Sequence, residues 1–191
     1  ESMNPKREKI FNAAVKKFSE KGTTGTTMKE ISQEAGVGKG TLYRYFDDKE
    51  DLVSSLMSYG FKQLTEVIKT EIEGIESATE KLKKAVAVQL QFYKQHCDFC
   101  RFLTREFWGY KNKFEENIKD IRSDYTVVME EIIEEGISQN EFKVKDPEIA
   151  AVSLIGMVNL TALHWFMFKG EVAVDKIKKE VIEIFLDGML N

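Results

Sequence analysis

Only two prolines, Pro5 and Pro147, interrupt the 191 residues of this chain. Proline breaks helix interiors, because it lacks a backbone N–H and its ring clashes with the preceding turn. A chain with so few prolines can form long helices, and its abundant Leu, Ile, Glu, Lys and Ala residues favour that state. No segment alternates apolar and polar residues for long enough to predict a strand. We therefore expect an all-α protein.

Apolar residues recur at helical spacing, and glycines or capping residues divide this pattern into about nine helices. Gly22 and Gly36 end the first two helices, and Thr27 with Glu30 has the spacing of a capping box. The approximate bounds are Lys6–Lys21, Thr27–Ala35, Lys39–Phe46, a long helix from Lys49, Thr79–His96, Phe99–Trp108, Lys113–Gln139, Pro147–Lys169 and Val174–Leu190. A small domain, residues 1–47, is expected to precede a larger one, residues 48–191.

Basic residues are concentrated near the N-terminal end of the chain. The formal net charge is −4, yet residues 5–46 contain nine Lys or Arg and four Asp or Glu, a local balance of +5. Salt screens the attraction between exposed charges and phosphates within about 10 Å, so the local balance matters more than the total. The N-terminal end of the chain is therefore the part whose charge suits binding to a phosphate backbone.

Residues 26–49 contain a short helix, a tight turn at Gly36 and a second short helix, the parts of a helix-turn-helix. The residues spaced to pack these helices on the first one are Ile31, Ala35, Val37 and Leu42. The second helix then presents Lys39, Thr41, Tyr43, Arg44 and Tyr45 outward. Such side chains bind phosphates and read base edges in a major groove. Gly40 would allow close approach to DNA. A helical hairpin with incidental charges is the alternative.

This segment resembles the N-terminal domain of the TetR family of transcriptional regulators. The matching residues are Thr26, Thr27, Ile31, Ala35, Gly36, Val37, Gly40, Thr41, Leu42, Tyr43, Tyr45, Phe46, Lys49, Glu50 and Leu52. The resemblance implies a homodimer that binds a palindromic operator. It also implies that Thr27, Tyr45 and Lys49 contact phosphates. The residues that it places at the groove are Lys39, Thr41, Tyr43 and Arg44, and the predicted DNA-binding set adds Thr26 and Gly40.

Three residues depart from the family pattern. Gly38 stands where the family usually has Ser or Ala, and this removes a helix-capping hydroxyl. Ser32 replaces the usual Ala of the second helix, and Thr23 replaces an aromatic residue of the first loop. We expect these changes to weaken no contact essential to the fold, but to make the DNA-binding domain somewhat looser.

The rest of the chain resembles the family more loosely, as a helical domain for ligand binding and dimerisation. Aromatic residues cluster between Phe92 and Tyr125, and isolated polar groups accompany them. The candidate effector-binding residues are Phe61, Leu64, Phe92, His96, Phe102, Trp108, Tyr125, Met129, Asn159 and His164, although each could be an ordinary core or surface residue. A small hydrophobic or aromatic effector is expected. Alternatively, an anionic head group, as on a fatty acyl ligand, could be held by Arg101, Arg105 and Arg122.

Residues 149–168 contain no charged side chain, and a stretch of this length could span a membrane. The polar residues within it, among them Asn159 and His164, argue against that interpretation, as does the lack of a basic flank on its N-terminal side. A helix enclosed by its own domain and by a dimer partner also needs apolar residues all round. We therefore expect homodimerisation through this helix and the last one, without a membrane.

Cys97 and Cys100 form a C-x-x-C without a second Cys or His pair, so the sequence predicts no zinc site. Thiol or metal sensing stays open beside the alternative of two ordinary cysteines, and no cofactor is expected. The low cysteine count, and the lack of an apolar run after the N-terminal basic residues, indicate a cytoplasmic protein.

Together these features predict a ligand-responsive DNA-binding transcriptional regulator, and we expect it to act as a repressor. An enzyme is one alternative, but the sequence has no nucleophile–base arrangement, phosphate loop or metal spacing, and only two His residues. A regulator that acts through protein contacts alone is the other alternative. The residues that argue against it are Lys39, Tyr43, Arg44 and Lys49.

Overall fold

The computed structural model describes the backbone of residues 4–109, 115–170 and 173–188, and their side chains except those of residues 104–109 and 115–123. In these ranges the chain forms nine helices and no strand, which confirms the all-α prediction. The helices are α1 (Pro5–Lys21), α2 (Met28–Glu34), α3 (Lys39–Tyr45), α4 (Lys49–Ile72), α5 (Ala78–Gln95), α6 (Cys97–Gly109), α7 (Glu115–Ser138), α8 (Pro147–Lys169) and α9 (Val174–Asp187).

The helix bounds agree closely with those expected from the sequence, and the largest difference in the described part is at the start of α6. That helix begins at Cys97 and not at Phe99, because His96 alone separates it from α5. The expected start of α7 at Lys113 and the expected end of α9 at Leu190 lie outside the described residues.

Contacts within the chain define two compact units. Unit 1 comprises Glu1–Tyr59 and Asp98–Ile118, and unit 2 comprises Gly60–Cys97 and Lys119–Asn191. Helix α4 therefore begins in unit 1 and ends in unit 2. The boundary expected at residue 47 separates domains by function, whereas these units are defined by contacts. That boundary therefore stays a prediction.

Unit 1 is built around aromatic side chains. Phe11, Phe18 and Phe46 are all at most 3% exposed. The Phe11 ring centroid lies 5.6 Å from that of Phe46 and 5.4 Å from that of Tyr59. The Arg7 guanidinium covers Phe11 and Phe46 at 5.3 and 5.6 Å from their ring centroids. The core of unit 1 therefore joins α1 to the end of α3 and to α4.

The helix-turn-helix has one well-capped helix and one without a side-chain cap. Glu30 accepts a hydrogen bond from the Thr27 backbone N–H at 2.8 Å, and the Thr27 hydroxyl accepts one from the Glu30 N–H at 3.2 Å. This is the expected capping box, and it defines the start of α2. Gly36 makes the turn at φ 64°, and Gly38 at the N-cap of α3 has no side-chain hydrogen bond.

Unit 2 contains the larger apolar core. Helix α5 packs against α8 and α9, and α8 packs against α9. The bulky apolar side chains that are fully buried in this core are Ile68, Leu82, Leu90, Met129 and Ile133. They come from α4, α5 and α7, so these three helices also enclose the interior of unit 2.

Helix α8 carries many apolar side chains that this chain leaves exposed. Within the described residues, α8 is the one helix long and apolar enough to cross a membrane by length and composition, with 22% of its most apolar window buried. Its exposed apolar side chains are Ile149, Val152, Leu160, Met167 and Phe168. Within the described part of the chain, one face of α8 therefore has no covering partner.

Candidate nucleic-acid interface and effector site

Helix α3 buries one face and exposes the other. Leu42 and Phe46, one turn apart, are at most 1% exposed and attach α3 to the core of unit 1. On the outer face, Lys39 and Arg44 are exposed and Tyr43 is 43% exposed. The other predicted residues of this helix are the exposed Gly40 and the half-buried Thr41 and Tyr45. The outward orientation expected from the sequence is therefore largely present.

The two cations of α3 lie over aromatic rings. The Lys39 ammonium is 5.7 Å from the Tyr43 ring centroid, and the Arg44 guanidinium is 5.8 Å from that of Tyr45. Among the side chains that the structure describes, no carboxylate forms an ion pair with Lys39 or Arg44. Both charges therefore remain available to phosphates, and each tyrosine restricts the position of its cation.

Three lysines of α1 are neutralised within unit 1. Lys16 and Lys17 pair with Glu34 at 2.5 and 3.0 Å, and Lys21 pairs with Glu30 at 2.7 Å. The Lys16 ammonium, followed by that of Lys17, lowers the pKa of Glu34, and Lys21 is the largest cause that lowers the pKa of Glu30 to about 2. The positive charge of unit 1 is therefore less compensated at α3 than along this part of α1.

Two residues of the predicted DNA-binding set have internal hydrogen bonds. Thr26 is 1% exposed, and its hydroxyl donates to the Gly22 carbonyl at 2.8 Å. The Lys49 ammonium donates to the carbonyls of Thr23 and Thr26, at 2.6 and 2.9 Å. Both side chains thus support the α1–α2 loop from inside, whereas Thr27 is exposed. Contacts of Thr26 and Lys49 with DNA stay predictions.

Several candidate effector-binding residues lie together in unit 2. Those in or against its apolar core are Phe61, Leu64, Phe92, Tyr125 and Met129. Asn159 is half-buried, and its Oδ1 accepts a hydrogen bond from Gln89 Nε2 at 2.6 Å. Sequence reasoning missed Gln89, although a glutamine at a core position of α5 was a readable signal.

Both candidate histidines are exposed, which differs from the expected position in a cavity among the middle helices. His96 lies 4.5 Å from the Phe92 ring centroid, and its partial desolvation lowers the pKa of the imidazole. His164 lies 4.8 Å from the Phe168 ring centroid. Each histidine therefore borders an aromatic side chain at the surface.

Two further aromatic candidates lie elsewhere. Phe102 is fully buried, and it stacks on Phe18 in unit 1 with the ring centroids 5.3 Å apart. The side chain of Trp108 lies outside the described residues. Membership of Phe102 and Trp108 in an effector site stays a prediction.

For the alternative of an anionic head group, the structure describes the side chain of one of the three candidate arginines. The exposed Arg101 guanidinium lies 3.7 Å from the Asp98 carboxylate. The side chains of Arg105 and Arg122 lie outside the described residues. The arrangement of the three arginines therefore stays a prediction.

Cys97 is half-buried and Cys100 is buried, and neither forms a disulfide. In the described part of the chain, no group of three His, Cys, Asp or Glu side chains could hold a metal ion. The described geometry thus offers no ligand set for the metal-sensing alternative.

A surface groove of about 630 Å³ lies between α5 and α9. Its lining consists of Ile75, Glu80, Lys83, Lys84, Ala87, Lys178, Lys179, Ile182, Glu183, Leu186 and Asp187. None of the ten predicted effector residues borders this groove, and its charged side chains have both signs. The core of unit 2, and not this groove, contains the predicted effector residues that the structure brings together.

Models of two protein families match the chain. "Bacterial regulatory proteins, tetR family" matches residues 10–56, and "Tetracyclin repressor-like, C-terminal domain" matches residues 76–189. Among curated proteins, a fatty acid metabolism regulator protein of Bacillus subtilis is 28% identical over 190 residues, with 98% of this chain and 97% of the relative covered.

Solved structures with the same fold cover nearly the whole chain. A transcriptional regulator FadR from Bacillus subtilis, in complex with stearoyl-CoA, has a TM-score of 0.87 and 26% identity over 95% of this chain and 98% of its own. The fatty acid degradation regulator FadR from Bacillus halodurans has a TM-score of 0.90 and covers 98% of both chains; at 24% identity it supports the fold alone. The helix-turn-helix and both family matches agree, and the chain belongs to the TetR family of bacterial transcriptional regulators, which are not enzymes.

Proposed function

We propose that the chain is a repressor that binds a palindromic operator as a homodimer and is released by a long-chain acyl-CoA. The observation that carries the proposal is the outer face of α3, where Lys39, Tyr43 and Arg44 are exposed and both cations lack a carboxylate partner among the described residues. Cations and aromatic hydroxyls on one short helix can contact base edges and phosphates together.

A second copy of the chain is proposed to cover the exposed face of α8. Ile149, Leu160 and Met167 are each more than 60% exposed, and their spacing places them on one side of the helix. Ile184 of α9 is 63% exposed as well. A two-fold axis near these helices would bury the apolar face, and binding to a palindromic operator would require the two copies of α3 at the half-site spacing of about 34–36 Å.

Two observations support the proposed effector: the ligand bound to a similar regulator and the apolar interior of unit 2. A similar regulator of Bacillus subtilis was solved with stearoyl-CoA bound. The interior of unit 2 in this chain is apolar, as an acyl chain requires, and it contains half-buried aromatic side chains such as Phe61 and Phe92. Such a regulator would act in the cytoplasm, where operator DNA and acyl-CoA occur together.

Helix α4 provides a connection between the effector and DNA. It begins at Lys49, soon after the end of α3, and its later residues Leu64 and Ile68 belong to the core of unit 2. An effector that displaces these residues would move the helix that follows α3. Because operator binding requires one spacing of the two α3 helices, effector and operator would bind in competition through conformation.

The DNA-binding part is tested by selection of operators from random DNA with the purified protein. Lys39→Ala with Arg44→Ala should abolish enrichment of a palindrome and lower the salt dependence of binding, by about one unit of slope for each phosphate that the variant no longer neutralises. The control is Lys69→Ala with Lys94→Ala, which removes the same charge from exposed positions of unit 2. Equal loss of enrichment in the control would contradict a role for α3.

The effector part is tested on the selected operator. Stearoyl-CoA should release the wild-type protein from this DNA, whereas coenzyme A without an acyl chain should not. Release by both compounds, or by neither, would overturn an acyl-CoA effector while leaving the DNA-binding result intact. If the protein is a dimer but enriches no palindrome at low salt, the result would instead favour a regulator that acts through protein contacts.

A further inference from the structure

The core of unit 2 contains a buried amide with an unused hydrogen-bonding atom. Gln89 of α5 is 1% exposed, and its Nε2 donates to Asn159 Oδ1 of α8 at 2.6 Å. Its Oε1 is buried and has no hydrogen-bond partner among the described residues. The amide therefore keeps one acceptor free in the interior.

A second unused polar atom belongs to the same core. Tyr125 of α7 is 3% exposed, and its hydroxyl is likewise buried without a hydrogen-bond partner in the described part of the chain. Desolvation, with a smaller effect of Tyr93, raises the pKa of Tyr125 well above its usual value. The hydroxyl therefore stays protonated at neutral pH and can donate.

The surroundings of these atoms connect them to the predicted effector site. The Phe61 and Tyr125 ring centroids are 6.5 Å apart, and Tyr93 follows Gln89 by one turn of α5. Phe61, Tyr93 and Tyr125 belong to the apolar core of unit 2 or pack against it. Gln89 of α5 and Asn159 of α8 form a polar pair on two of the helices that build this core.

Unpaired buried polar atoms are unfavourable, and native proteins have few of them. A polar side chain that served the fold alone would be expected to have its partners within the fold. Two such atoms, on helices that enclose one apolar core, leave one acceptor and one donor that a bound molecule can satisfy. The free acceptor on Gln89 requires a donor, and the Tyr125 hydroxyl requires an acceptor.

We propose that Gln89, Asn159 and Tyr125 form a specificity site inside unit 2, which binds a polar group that both donates and accepts hydrogen bonds on an otherwise apolar effector. This inference rests on the proposed acyl-CoA effector. Two parts of such a molecule have this chemistry. The thioester carbonyl accepts and the nearest amide N–H of the coenzyme A arm donates, whereas a hydroxyl group on the acyl chain does both.

The decisive variant is Tyr125→Phe, which removes only the hydroxyl. Because that hydroxyl has no partner in the described protein, the variant should fold with an unchanged or raised melting temperature. It should bind stearoyl-CoA, 3-hydroxystearoyl-CoA or both about five- to tenfold more weakly than the wild type in calorimetry, the effect of removing one hydrogen bond. The matched control is Tyr59→Phe, which makes the same deletion in unit 1 and should leave affinity unchanged.

Comparison of stearoyl-CoA with 3-hydroxystearoyl-CoA distinguishes the two sources of the polar group. A loss of affinity for both compounds in Tyr125→Phe assigns the site to the thioester end. A loss for the hydroxylated compound alone assigns it to a hydroxyl group. Unchanged affinity for both compounds overturns the proposal, because the hydroxyl would then be only a structural feature.

A crystal structure of the protein as purified gives a second readout that does not require a known effector. Density for a non-protein group within hydrogen-bond distance of Gln89 Oε1 and the Tyr125 hydroxyl supports the specificity site. Ordered waters alone on both atoms, with the core otherwise closed, overturn it. Wild-type protein that binds neither acyl-CoA contradicts the proposed effector, and the crystal structure then decides the specificity site separately.

Discussion

Residue 40 of α3 is subject to two opposing requirements. Glycine is unfavourable inside a helix, yet a Cβ built on Gly40 meets no atom of the described residues within 4 Å. Packing within the described part of the chain therefore gives no reason for glycine at this exposed position. Close approach of the α3 backbone to DNA would provide one.

Gly40→Ala should accordingly separate stability from DNA binding. We expect the free energy of unfolding to rise by about 0.5–1 kcal/mol, because alanine favours the helix. Operator affinity should fall by about fivefold, which corresponds to about 1 kcal/mol. Urea unfolding and fluorescence anisotropy on the same variant measure the two effects, and unchanged affinity would show that DNA does not approach this position.

The capping box of α2 offers a test of local stability. Thr27→Ala removes the hydroxyl that accepts from the Glu30 N–H, and we expect it to cost about 1 kcal/mol of unfolding free energy. The control is Thr70→Ala, since the Thr70 hydroxyl donates only to the Glu66 carbonyl within α4. Thermal or urea unfolding measures the difference. A larger loss of stability in the control would contradict the importance of the cap.

Glu30 should make stability depend on acid pH. Its pKa falls from 4.5 to about 2, first because of Lys21 and then because of hydrogen bonds from Thr27. The carboxylate therefore stabilises the fold above about pH 4.5, and this contribution disappears as the pH falls toward 2. Glu30→Gln should be less stable than the wild type at pH 7, with the difference shrinking between pH 4.5 and 2. A constant difference, measured by urea unfolding at each pH, would contradict this assignment.

At the scale of elements, the end of α7 depends on one glycine. A Cβ at Gly136 would overlap the Phe142 ring, and Phe142 is 3% exposed. The backbone N–H of Phe142 also donates to the Gly136 carbonyl, and Asn140 makes the intervening turn at φ 58°. The turn that leads from α7 to α8 therefore folds directly onto the Gly136 backbone.

Gly136→Ala should therefore destabilise the protein by about 1–3 kcal/mol through overpacking, although alanine is the better helix former. Phe142→Leu in the same chain should recover part of that stability, because it removes ring atoms that the added methyl would meet. A double-mutant cycle in urea unfolding measures this coupling. Additive effects of the two substitutions would show that the contact is not the cause.

The same turn stabilises the start of α5. Glu141 accepts hydrogen bonds from the Ser77 hydroxyl at 3.0 Å and from the Thr79 N–H at 2.8 Å. Hydrogen bonding from Thr79 is the largest cause that lowers the pKa of Glu141. A carboxylate at a helix N-terminus satisfies amides that the helix itself leaves unpaired. Through Glu141, the α7–α8 turn thus holds the N-terminus of α5, which is distant from it in sequence.

At the scale of the whole molecule, the exposed face of α8 is the main test of the proposed homodimer. Leu160 and Met167 are both 61% exposed, so Leu160→Lys with Met167→Lys should leave the folded chain intact. Two lysines in a dimer interface would be buried without partners, and we expect a monomer with reduced operator affinity. Analytical ultracentrifugation of the wild type and the variant measures the assembly state.

The control changes two exposed apolar residues outside α8. Val67 and Val127 are 45% and 43% exposed, and their replacement by lysine should leave the dimer intact. A variant in α8 that remains dimeric would contradict the proposed interface. Wild-type protein that sediments with lipid vesicles would instead favour the membrane interpretation of this helix.

Helices, caps and the exposed side of α3 were predictable because they depend on near neighbours in sequence. Side chains three or four residues apart share a helix face, so Leu42 and Phe46 indicate the buried side of α3 and Tyr43 and Arg44 the outer side. Thr27 and Glu30 show the capping box in the same way. The family resemblance added what this local pattern does not give, the expectation of a regulator with a separate effector domain.

Only the tertiary structure decided which polar groups are paired across the chain. Lys16 and Glu34 are 18 residues apart, and Gln89 and Asn159 are 70 apart, so no local pattern predicts either contact. Packing likewise turned Thr26 inward and left Gln89 and Tyr125 with unused atoms. Local spacing determines the face of a helix on which a residue lies, but its partners depend on how helices pack, and packing sums contacts over the whole chain.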